Sequence, residues 1–117
     1  FHFYVDQVTV GGLTPFTWNV DTVANRLEIS DSKNLAGLYV DTAAAGLDTN
    51  AVVYVKLSTA DGAADAIGLR GYDTAPAGVM RDGKVLDNTW WSYSSTSKMV
   101  VLKETDGSQM HSWLVAP

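Results

Sequence analysis

Apolar and polar residues alternate along most of this chain, the period-two signature of β-strands that bury one face. Phe1, Phe3 and Val5 share one phase, whereas Val8 and Val10 take the opposite one, which predicts a bulge near Asp6-Gln7 before Gly11-Gly12 ends the segment. Phe16, Trp18 and Val20 lead into a polar turn from Asp21 to Asn25, and Leu27 and Ile29 return from it as a hairpin. Leu38 and Val40 mark a short strand, and the stretch from Asp41 to Asn50 fits a loop or a single helical turn around Ala43-Ala44-Ala45. Val52, Val53, Tyr54, Val55 and Leu57 are mostly β-branched or aromatic, with apolar groups in both phases, so this strand is expected at the centre of a sheet.

Ile67 and Leu69 form a further strand, weakened by Gly68 and Gly71. Val79-Met80 and Val85-Leu86 flank Arg81-Asp82-Gly83-Lys84 as a tight hairpin. Lys98 to Glu104 and Gln109 to Val115 flank Thr105-Asp106-Gly107-Ser108, where Asp-Gly suits a type I′ turn with positive φ, so these strands are expected to pair about it. About eight to ten short strands at this spacing predict an all-β fold. The expected architecture is one antiparallel β-sandwich over residues 1–117, of jelly-roll or Ig-like type, with no internal repeat.

The acidic residues support this reading: eleven are Asp and two are Glu. Asp competes with the helical backbone and favours turns, as in Asp61-Gly62, Asp82-Gly83 and Asp106-Gly107. Loop carboxylates are also the ligands calcium takes, although no Asp-x-Asp-x-Asp loop occurs; no other cofactor is indicated. The net charge of −5, with eight scattered Lys and Arg residues, argues against nucleic acid and anionic membranes as partners. No apolar run approaches the roughly 18 residues of a membrane span. With no cysteine, disulfides and thiolate chemistry are absent. The chain opens at Phe1 without an initiator Met, as a processed protein or an excised fragment would.

One stretch departs from ordinary strand composition. Asp87-Asn88-Thr89-Trp90-Trp91-Ser92-Tyr93-Ser94 sets two of the four tryptophans side by side among hydroxyl groups. Adjacent strand residues point to opposite faces, so Trp90 and Trp91 cannot enter one core together. Burying Trp91 and Tyr93 leaves Ser92 and Ser94 in water, whereas the reverse choice buries two hydroxyls that each need a partner. Trp90 is therefore the expected outward residue, competing only with a position under a neighbouring loop. Trp18 and Trp113 lie in phase with core residues and are expected inside.

Catalysis finds little support. His2 and His111 lie in no nucleophile motif, and they could meet only if the first and last strands pair. Two histidines without a third ligand make a weak metal site. Glu28 and Glu104 read as solvent-facing strand residues, and no phosphate-binding glycine loop is present. The expected function is a non-catalytic, extracellular or cell-surface binding module, most simply a lectin or carbohydrate-binding module. Trp90 would stack on a sugar ring, and Asp87 and Asn88 would bind its hydroxyls. The partner would be a glycan or a protein surface. The alternative is a structural subunit of an extracellular filament, surface layer or virus particle, self-associating through the apolar strand Phe1-His2-Phe3-Tyr4-Val5.

Overall fold

The computed structural model describes residues 3–5, 17–32, 38–59, 65–87, 89–105 and 109–117. The expected bulge at Asp6-Gln7, the turns Asp61-Gly62 and Asp106-Gly107, and residues Phe1, His2 and Asn88 lie outside them, as does the side chain of Trp18.

The chain folds as an all-β sandwich of two packed sheets. One sheet contains β1 (Phe3–Val5), β4 (Leu38–Asp41), β6 (Asp65–Arg70), β10 (Met99–Glu104) and β9 (Trp91–Ser94), in that spatial order. The other contains β2 (Thr17–Asp21), β3 (Arg26–Ser32), β5 (Val53–Thr59), β11 (His111–Ala116), β7 (Gly78–Arg81) and β8 (Lys84–Val85). The layer holding β1 is sheet A and the layer holding β2 is sheet B.

Both sheets are mixed rather than wholly antiparallel. β1 runs parallel to β4, β4 to β6 and β3 to β5. From β3 to β6 the chain alternates between sheets at every strand, and this weaving explains two of the parallel pairs. Two successive crossings return the chain to its first sheet in its original direction, so β3 and β5 match, as do β4 and β6. Alternation of hydrophobicity reports which face a strand buries, not which sheet it joins.

The same limit accounts for a second difference. β10 and β11 do not form the expected hairpin: β10 pairs with β6 and β9 in sheet A, whereas β11 pairs with β5 and β7 in sheet B. Stacked sheets lie about 10 Å apart, too far for the two strands to be hairpin partners. Val100 and Leu102 therefore face Trp113 and Val115 across the core instead of lying beside them. β1 and β11 also occupy different sheets, so the strand pairing expected for a His2–His111 contact does not form.

Other elements form where the pattern places them. β2 and β3 make the first hairpin, in which Asp21 Oδ1 accepts from the N–H groups of Val23 (3.1 Å) and Ala24 (3.0 Å). β5 is interior to sheet B, with Val53, Val55 and Leu57 buried, while Tyr54 on its other face is exposed. β7 and β8 form the tight hairpin, with Asp82 (φ 52°) and Gly83 (φ 80°) as the paired positive-φ residues of a type I′ turn. The stretch after β4 contains one helical turn, α1 (Thr42–Ala45). Asp41 caps its N-terminus by accepting from Ala43 and Ala44 N–H, and Gly46 (φ 80°) closes it in the left-handed conformation.

Between the sheets lie Leu27, Ile29, Val53, Val55, Leu57, Val79, Trp113 and Val115 from sheet B and Val40, Ile67, Leu69, Val100 and Leu102 from sheet A, all buried. Each aliphatic side chain so buried contributes about 1.5 to 3 kcal/mol.

Candidate functional site

From Trp91 to Ser94 the strand adopts the alternation read from its sequence. Trp91 and Tyr93 in β9 pack against the core, while Ser92 and Ser94 are exposed. The Tyr93 hydroxyl donates to the Tyr72 carbonyl at 2.8 Å, which satisfies a polar tip that would otherwise be stranded at the core edge. Trp90 precedes β9 and is half-buried. Its carbonyl accepts from Lys103 N–H at 2.9 Å, extending the contact between β9 and β10 by one residue. Its own N–H donates to the Asp87 carbonyl at 3.3 Å.

Asp87 is exposed, and its Oδ1 accepts from both Thr89 N–H (2.9 Å) and the Thr89 hydroxyl (2.5 Å). These two bonds hold its carboxyl below the usual aspartate range. The loop entering β9 is thus braced by a side-chain turn and presents a charged carboxylate next to the Trp90 backbone.

Trp90 is held by a partner that hydrophobic patterning did not identify. The Arg81 guanidinium lies over its ring, 5.5 Å from the centroid, and over the ring of buried Trp113 at 5.8 Å. Arg81 reaches this place because it shares a phase with buried Val79 in β7 and so points between the sheets. There it meets Glu104, which is the correction to the expected solvent-facing position: Glu104 is 1% exposed. It follows Val100 and Leu102 on the core face of β10, and Arg81 supplies the countercharge that makes burial tolerable. Arg81 Nη2 donates to Glu104 Oε2 at 2.5 Å and Nε to Oε1 at 3.3 Å, while Trp113 Nε1 donates to Oε1 at 3.2 Å. Glu104 and Trp90 belong to the sheet A side and Arg81 and Trp113 to sheet B, so this polar cluster joins the two layers. The signal available in the sequence was phase: Glu104 shares the parity of Val100 and Leu102.

Beside the cluster, His111 Nδ1 contacts Asp82 Oδ2 at 2.5 Å. Asp82 Oδ1 accepts from Ser112 N–H at 2.9 Å. Partial burial pushes the Asp82 carboxyl upward, but the Ser112 N–H, His111 and Arg81 together outweigh it and leave its pKa lowered. No hydroxyl among the described residues reaches the buried His111 Nε2, so the pair is not seen to activate a nucleophile. No group of three or more His, Cys, Asp and Glu side chains that could hold a metal occurs among the described residues.

A second feature lies on the outer face of sheet B. Arg26, Tyr54, Lys56 and Ser112 line an open depression of about 190 Å³. In register, Arg26 lies beside Tyr54 and Lys56 beside Ser112. An apolar row continues across the strands from Tyr54 through Leu114 and Met80 to Val85, which is 77% exposed.

Fold and site thus define a two-sheet β-sandwich with a braced aromatic corner and an aromatic, cation-lined depression. The chain matches no protein-family model, no curated protein and no solved structure. Among the described residues no helix is long and apolar enough to cross a membrane.

Proposed function

We propose that this domain is a non-catalytic carbohydrate-binding module acting outside the cell, with Trp90 as its stacking platform. The observation that supports the reading is the way Trp90 is held: a half-buried indole braced by the Arg81 guanidinium beside the exposed Asp87 carboxylate. A ring fixed before the ligand arrives loses little freedom on binding, and preorganisation of this kind raises affinity without added contact area. The indole face covers the C–H face of a pyranose, while Asp87, and Asn88 outside the described residues, accept and donate to hydroxyls. A glycan array tests the reading. The intact domain should bind a defined group of glycans, and Trp90→Ala should weaken that binding about tenfold or more, equivalent to about 1.4 kcal/mol. An array without binding, or binding indifferent to Trp90, would overturn it.

One observation favours a structural-subunit reading instead. Among the described residues β1 is an edge strand of sheet A, joined to β4 alone across the register Phe3–Leu38 to Val5–Val40. Short terminal edge strands can exchange between copies and complete a neighbour's sheet. Light scattering would then show concentration-dependent assembly that is lost when Phe1 to Val5 are deleted.

A further inference from the structure

We infer that the depression on the outer face of sheet B is a subsite for a carboxylate-bearing sugar ring, separate from the Trp90 corner. The inference rests on the reading that the domain binds carbohydrate, and adds to it a charge preference and a second location.

The register builds this place from three strands. β3 supplies Arg26, β5 supplies Tyr54 and Lys56, and β11 supplies Ser112, all from positions opposite in phase to buried Leu27, Val55 and Trp113. Tyr54 is 44% exposed, large for an aromatic residue in an interior strand, so its ring offers apolar surface to the depression rather than to the core. The volume of about 190 Å³ suits one ring with its substituents rather than an extended chain.

Electrostatics then select the ring. The chain carries a net charge of −5, yet two of its eight Lys and Arg residues line this one depression. Neither is committed to a strong internal partner. Arg26 pairs with Asp21 at 3.7 Å, with both side chains about two-fifths exposed, a long surface contact of little worth. Lys56 has Glu28 as its register neighbour on β3 but forms no ion pair with it. A neutral sugar would stack on Tyr54 and accept hydrogen bonds from the cations, but would leave their charge uncompensated. A ring bearing a carboxylate would stack and also accept charge-assisted hydrogen bonds from Arg26 or Lys56, with Ser112 available to a ring hydroxyl. Uronic and sialic acids share this chemistry.

Amide NMR spectra of the intact domain, titrated separately with glucuronic acid, N-acetylneuraminic acid and glucose, test the inference. At least one acid should shift the amides of Tyr54, Lys56 and Ser112 and bind about tenfold or more tighter than glucose, the gain expected from one charge-assisted bond. Whichever acid binds identifies the source of the carboxylate. Lys56→Met and Arg26→Gln, each checked for native folding by its spectrum, should reduce that preference, and added salt should do the same. Trp90→Ala should leave it intact. Equal affinity for acid and neutral sugars would overturn the subsite. So would shifts confined to Thr89 and Trp90, or a preference unchanged in both cation variants. A domain that bound neutral glycans through Trp90 and showed no acid preference would lose only this subsite; loss of all carbohydrate binding would remove both proposals.

Discussion

Glu104 shows how one residue can be misplaced by its chemistry and placed by its phase. A carboxylate on a strand reads as solvent-facing because isolated burial of charge is costly. Parity with Val100 and Leu102 points the other way, and Arg81 resolves the conflict by arriving from the opposite sheet. Removing one partner of such a pair leaves an uncompensated buried charge, so Arg81→Met should destabilise the fold by about 3 to 5 kcal/mol in chemical denaturation. Replacing Glu104 and Arg81 together by apolar residues should cost clearly less than the two single changes added, because neither charge is then stranded. Additive losses would show that the pair does not act as a unit. Trp91 packs against the core, whereas Trp90 is half-buried against the Arg81 guanidinium rather than fully outward, a contact that strand phase alone does not reveal because β7 and β9 lie in different sheets. Asp82 is one of two carboxyls, with Asp87, that carry pH dependence at this scale, and it is the one tied to the neighbouring strand. Its pKa is lowered in the folded chain, so the unfolded chain binds the proton more readily. The stability it contributes is complete above about pH 4 and is lost as pH falls through the lower, folded-state value. Asp82→Asn should flatten that part of the stability profile, and an unchanged acid limb would contradict the assignment.

Elements closed by local chemistry could be read from the sequence, whereas elements joined across distance could not. The β7–β8 hairpin follows from Asp82-Gly83 alone, because few residue pairs accept positive φ twice in succession. At Gly83 an added Cβ meets nothing within 4 Å, so Gly83→Ala should cost only the backbone strain, about 1 to 2 kcal/mol. Gly71 is a harsher case. Its φ is 117°, and an added Cβ would fall within 2.4 Å of Thr42 Oγ1, whose hydroxyl already donates to the Arg70 carbonyl at 2.6 Å. Gly71→Ala should therefore lower the unfolding midpoint more than Gly83→Ala, and the reverse order would show that the α1–β6 contact is looser than described. The pairing expected about Asp106-Gly107 rested on the same turn chemistry as β7–β8. It does not form because β11 takes β5 and β7 as neighbours and places Trp113 against Glu104. A turn signal limits how the chain reverses; it does not choose the sheet that receives the next strand.

For the whole molecule, the apolar alternation specified an all-β sandwich because each strand buries one face, and two such faces can be covered only by each other. It did not specify the weaving of β3 to β6 between the layers, since a strand's pattern is the same in either sheet. The sheet B depression escaped sequence reading for a related reason: Arg26, Tyr54, Lys56 and Ser112 come from three strands whose adjacency is set by that weaving. The proposed function turns on one division. Trp91 packs against the core, and Trp90, though adjacent in sequence, is the proposed recognition residue. The measurement that tests it most directly pairs glycan binding with denaturant unfolding for Trp90→Ala and Trp91→Ala. Trp90→Ala should lose most glycan affinity and retain most of its stability. Trp91→Ala, which opens a cavity at the core edge, should lose about 3 kcal/mol or more of stability, while its folded fraction still binds. Unfolding of the domain by Trp90→Ala, or glycan binding left untouched by it, would contradict that division.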